Sequence, residues 1–119
     1  MTLTGHGAKL LAAFLASLAA SSPRTFSCRH HTVIELGAGT GLAGMAAALI
    51  GSSRVLLTEK AGQLHALERT VALNQVKLDA REKRHKGALP ATCDILALSW
   101  GNAGDIVRKV EEYQIFRRA

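Results

Sequence analysis

At 119 residues, with 48% apolar and 20% charged residues, the chain has material for one small domain and a composition that excludes disorder throughout. Its formal charge of +6, fifteen Lys and Arg against nine Asp and Glu, would suit an acidic partner, but the basic residues are spread along the chain rather than gathered into one patch. Two cysteines, Cys28 and Cys93, give no CxxC pair and no disulfide framework, which points to a reduced compartment.

The first predicted element lies in "KLLAAFLASLAASS", Lys9 to Ser22. A basic residue, an apolar run and small residues at its end give it the outline of a secretory signal. The run is too short to span a bilayer. Leu10, Leu11, Phe14, Leu15 and Leu18 recur at helical spacing, however, so the stretch is read as a helix that packs one face on a sheet, closed by Pro23. That reading carries a cytoplasmic location with it, nuclear being the alternative. "CRHH", Cys28 to His31, lacks a second ligand pair at zinc-like spacing and is read as no metal site.

From residue 32 onward strand-like and helix-like segments alternate, the pattern of a parallel α/β sheet. "TVIEL", Thr32 to Leu36, is the first predicted strand, and a glycine-rich loop follows it. Leu42 to Ile50 predicts a helix ended by Gly51. "RVLLTE", Arg54 to Glu59, predicts a strand whose unbroken apolar run suits cover on both faces. A second helix is expected from about Ala61 to Gln75, with Leu64, Leu67, Val71 and Leu78 at helical intervals.

The charged run "KLDAREKRHK", Lys77 to Lys86, mixes signs and holds no aromatic residue for base stacking, so it is read as a solvated helix end and loop and not as a nucleic-acid surface. "CDILALSW", Cys93 to Trp100, predicts a third strand. "DIVRKVEEY", Asp105 to Tyr113, predicts a final helix that opens on a capping Asp105 and sets Ile106, Val110 and Tyr113 on one face.

The chemistry is concentrated in "VIELGAGTGLAG", Val33 to Gly44. Glycines just past a strand allow positive φ and let a ligand approach the main chain. Two registers compete. Gly39, Gly41 and Gly44 satisfy the dinucleotide spacing GxGxxG, with Glu59 twenty residues on to hold a ribose. The other register, Glu35 followed by Gly37, Gly39 and Gly41, sets a carboxylate beside the bare turn. A carboxylate there repels a pyrophosphate and favours a cationic ligand, which makes S-adenosylmethionine the expected cofactor, with its ammonium and sulfonium on an adenosine. Gly44 itself is read as a point of close helix packing.

These residues, with "LLTEK" and "LSWG", resemble the class I methyltransferases with a seven-stranded Rossmann-like sheet, and within them the protein-lysine methyltransferase-like branch. The resemblance implies that Gly37, Gly39 and Gly41 line the methionine and ribose portion, that Glu35 helps hold the amino group, that Glu59 accepts bonds from both ribose hydroxyls, and that Trp100 contacts the adenine. It implies a protein acceptor and a fold class of α/β with a Rossmann-like parallel sheet and flanking helices. It also divides the chain into an N-terminal helix and linker (1–31), a cofactor-binding unit (32–101) and a divergent helical tail (102–119).

Two alternatives stay open: an NAD-type oxidoreductase domain, and a non-catalytic module that keeps only cofactor binding. The family's fourth strand, which ends on an acidic residue and an aromatic, has no counterpart in Asp105 to Ala119, so no catalytic residue is assigned and the chain reads as a truncated, cofactor-binding half. Relatives also carry a tryptophan after an early Thr-Gly, absent from "TGHGAKLL", and an acidic residue where Ala97 stands. Three parallel strands leave unpaired edges, which predicts a partner covering one of them.

Overall fold

The computed structural model describes residues 5–21, 28–84 and 92–115. Pro23, Gly87, Pro90 and the end of the charged run fall outside these residues. Element order is α1 (His6–Ser21), β1 (Thr32–Glu35), α2 (Leu42–Leu49), β2 (Arg54–Glu59), a 3-10 turn (Ala61–Gln63), α3 (His65–Arg84), β3 (Thr92–Ala97) and α4 (Ala103–Glu112).

The strands form one parallel sheet in the order β1-β2-β3, with Val33 opposite Val55 and Val55 opposite Cys93. Because successive strands are neighbours and parallel crossovers share one hand, both connecting helices fall on the same face. The core lies there: Val55 and Leu57 of β2, Ala47 and Ala48 of α2, and Leu67 and Leu78 of α3 are buried together. The alternate residues of the strands, Ile34, Leu56 and Leu96, look to the other face, and α4 with Ile115 lies over it. The unbroken apolar run of β2 thus has the meaning expected of it. Val55, Leu56 and Leu57 are fully buried, each contributing about 1.5–3 kcal/mol relative to exposure.

Four details differ from the sequence expectations. α1 has no buried residue and stacks on α2 more than on the sheet; Leu15 reaches the core while Leu10 and Phe14 stay exposed. α3 begins later than expected, after the 3-10 turn, and runs on to Arg84, because Arg, Glu and Lys are good helix formers. β3 ends at Ala97, so Trp100 stands in a turn beyond the strand. The cap of α4 is Asn102 and not Asp105: the Asn102 side chain accepts from the Asp105 amide at 3.0 Å. Gly51 follows α2 at φ 129°, the stop the sequence predicted.

Candidate functional site

The carboxyl ends of the three strands, where open α/β sheets bind ligands, carry the residues singled out above. The loop after β1 is held by its own amides. Ala38 N donates to Thr58 O at 2.8 Å, Gly41 N to Ala38 O at 2.8 Å and Met45 N to Gly41 O at 2.9 Å. The Thr58 hydroxyl donates to the carbonyl of Glu35 at 2.8 Å and ties the ends of β1 and β2 together. Gly37, Gly39 and Gly41 have φ of 64°, 58° and 79°, values that bulkier residues adopt only under strain.

A cleft of about 440 Å³ opens at these strand ends, lined by Gly37, Glu59, Lys60, Ser99 and Trp100. Its volume falls in the usual range for small-ligand sites, roughly 300–1,000 Å³. Trp100 is 71% exposed, so it is a surface ring at the mouth and not part of the core. The ring lies over Gly37, where a Cβ would come within 2.9 Å of Trp100 Cζ2. A glycine at position 37 is what lets the ring close down on the loop. Glu59, at the end of β2, accepts from Gly39 N through Oε2 and from Lys60 N through Oε1, both at 3.0 Å. Its remaining lone pairs stay available to a ligand diol, since an ionised carboxylate offers about four acceptor positions.

Glu35 is placed differently. Its Oε1 accepts from Gly44 N at 3.0 Å, in the first turn of α2, and it lines an apolar groove between α1, β1 and α2 together with Leu11, Leu15, Cys28 and Ala47. Burial holds the Glu35 carboxyl above the ordinary carboxylate range, the Gly44 amide pulls it back down, and the neighbouring Glu59 charge adds to the rise. Gly44 is the close-packing point that its position suggested: a Cβ there would overlap Leu57 Cδ2 and stand 2.9 Å from Glu35 Oε1. Gly41 is turned toward Leu67 and Leu57.

Of the six predicted site residues, Gly37, Glu59 and Trp100 therefore meet at one cleft, and Gly39 is bonded to Glu59. Glu35 and Gly41 are not among the residues lining it. Lys60 and Ser99 line the cleft and were not anticipated, although each is the sequence neighbour of a predicted residue. The arrangement bears on the choice of ligand. The amide of Gly44, in the turn where a pyrophosphate would look for donors, already serves Glu35, and that of Gly39 serves Glu59. In the cleft itself a ligand meets the Glu59 carboxylate and the face of Trp100, acceptors and an aromatic surface that suit a nucleoside, with Lys60 beside them.

A three-stranded parallel sheet flanked by helices, with a tryptophan-capped cleft at its strand ends, has the architecture of the N-terminal half of a Rossmann-like methyltransferase fold. More narrowly, the chain belongs to the lysine methyltransferase family, whose profile matches residues 6–108. Over 75 residues, 63% of the chain, it is 33% identical to protein N-lysine methyltransferase METTL21A of Xenopus tropicalis. That stretch is 30% of the relative's length.

Proposed function

We propose that this chain is the cofactor-binding part of a protein-lysine methyltransferase and binds S-adenosylmethionine at the cleft formed by Gly37, Glu59, Lys60, Ser99 and Trp100. The observation that carries the reading is the pairing of Glu59 with Trp100 across that cleft, in a chain whose match to the family runs over residues 6–108. The donor chemistry fits: Glu59 offers acceptors to a ribose diol, Trp100 offers a flat face to adenine, and the loop supplies a bare surface, since a Cβ on Gly39 would meet nothing within 4 Å.

When bound, the cofactor supplies a methyl group activated by its positive sulfur. The chain's own contribution is to hold the nucleoside end still, so that a nucleophile can be aligned with methyl and sulfur. Glu35 and Glu59 make the strand ends electronegative, which favours the cation, although Glu35 acts through the loop and the first turn of α2. A lysine acceptor has an ordinary pKa near ~10.4 and must lose its proton before it attacks. No described residue is assigned that task. We take the acceptor to be a protein and the working compartment to be a reducing one, since the two cysteines of the sequence form no CxxC pair and no disulfide framework.

Calorimetric titration separates this reading from a dinucleotide site. S-adenosylhomocysteine should bind one to one and NAD should not; the reverse would refute the assignment. Incubation with cell extract and a methyl-labelled donor then tests transfer to protein lysines.

A further inference from the structure

Trp100 has an unusual position to maintain. With 71% of its surface in water, the ring gains little from packing, and yet it is held directly over Gly37. Its place has to be set by the main chain on either side. On the strand side, Leu98 N donates to Glu59 O at 2.9 Å and continues the β2–β3 ladder one residue past Ala97. On the helix side, three hydrogen bonds converge on the turn from Ser99 to Asn102. Asp105 Oδ2 accepts from Ser99 N at 3.1 Å, Asn102 N donates to Ser99 O at 3.4 Å, and Asn102 Oδ1 accepts from Asp105 N at 3.0 Å. Gly101 takes φ 80°, which a turn with a left-handed third residue requires.

We infer that Asp105 is a positioning residue for the cofactor cleft: its carboxylate, anchored in the first turn of α4, fixes Ser99 and through it the Trp100 ring over Gly37. This rests on the reading of the cleft as a nucleoside site. The Asp105 side chain does not line the cleft itself. Its second oxygen, Oδ1, accepts from Arg108 Nη2 at 2.9 Å, so the carboxylate is oriented from both ends. In an ordinary capping box the third helical residue reaches back to the amide of the capping residue. Here it reaches three residues further, past the turn that carries the ring. α4 is in turn seated on the sheet, where Ile106 and Val110 share an apolar cleft of about 210 Å³ with Leu36, Leu56 and Leu98. Seating of that helix and placement of the tryptophan are thereby one event.

Trp100 is the only tryptophan in the chain, so its fluorescence reports the ring without labelling. The full 119-residue chain is compared as wild type, Asp105→Ala, Asp105→Asn and Gly101→Ala, by time-resolved anisotropy and by titration with S-adenosylhomocysteine. Asp105→Ala should about double the amplitude of fast ps–ns depolarisation of the indole and weaken binding about five-fold. Asp105→Asn keeps an oxygen that can accept from Ser99 N and should restore most of both. Gly101→Ala strains the same turn with open space around its methyl, so it should move both readouts as Asp105→Ala does, even if that variant fails to fold. If wild type does not bind S-adenosylhomocysteine, the cleft reading falls and this inference with it. If wild type binds while the variants match it in anisotropy and affinity, or Asp105→Asn behaves like Asp105→Ala, the inference alone is overturned.

Discussion

Replacing Gly44 by alanine tests how closely α2 is set against the sheet. The substitution adds one methyl to the first turn of α2, where intrinsic propensity favours alanine over glycine by about 1 kcal/mol. The structure opposes that gain. The new carbon would overlap Leu57 Cδ2, lie 2.9 Å from Glu35 Oε1 and lie 3.3 Å from Val55 Cγ1. Leu57 and Val55 are both 0% exposed, so neither can swing into solvent, and α2 has to shift outward. Overpacking a filled core costs about 1–3 kcal/mol, and with three neighbours in contact the upper half of that range applies. The net destabilisation is then about 1–2 kcal/mol, or roughly 5–10 °C in Tm for a domain of this size. Thermal unfolding followed by far-UV circular dichroism reads it, with Gly62→Ala as the reference. Gly62 has no positive φ and open space around a Cβ, so that change should stay within about 0.5 kcal/mol of wild type. A Gly44→Ala protein that melts at or above wild type would refute the close approach of α2 to β2, and with it the account of how Glu35 is held.

Glu35→Gln tests the strained carboxylate. Since burial raises its folded value above the ordinary 4.5, the stability it contributes is full below that pH and is lost as pH rises through the folded value. Glutamine can still accept from Gly44 N, so the variant should flatten the stability profile above pH 4.5 and equal or exceed wild type at pH 7; urea midpoints across pH 4–8 are the measurement. Glu59→Ala removes the acceptor of two backbone amides and of the proposed ribose contact, and S-adenosylhomocysteine affinity should drop about ten- to hundred-fold, as for loss of a hydrogen bond to a charged group. Leu67→Ala empties a fully buried position between α3 and the loop glycine Gly41 and should cost about 2–5 kcal/mol, read from denaturant unfolding.

Sequence alone determined the elements that depend on periodicity and on glycine. The alternation of strands and helices, the limits of β2, the stop at Gly51 and the packing role of Gly44 could all be read there, because local pattern and backbone freedom act over a few residues. That Glu59 and Trp100 serve one cleft was implied by the resemblance of their motifs, although Trp100 stands in a turn beyond β3 and not at the strand's end. Three things were decided only by tertiary structure. The side on which a β1 side chain emerges depends on where α1 and α2 lie, and that put the Glu35 carboxylate in the groove with Gly44 rather than in the cleft. The cap of α4 passed from Asp105 to Asn102 because Asp105 was recruited by Ser99, a partner six residues away that no helical period predicts. The apolar run of α1 found too little sheet to bury itself on, since α2 already occupies the face that Val33, Val55 and Leu57 present. In each case the deciding interaction joins elements that are separate in sequence, and its energy exists only once the sheet has set their distance.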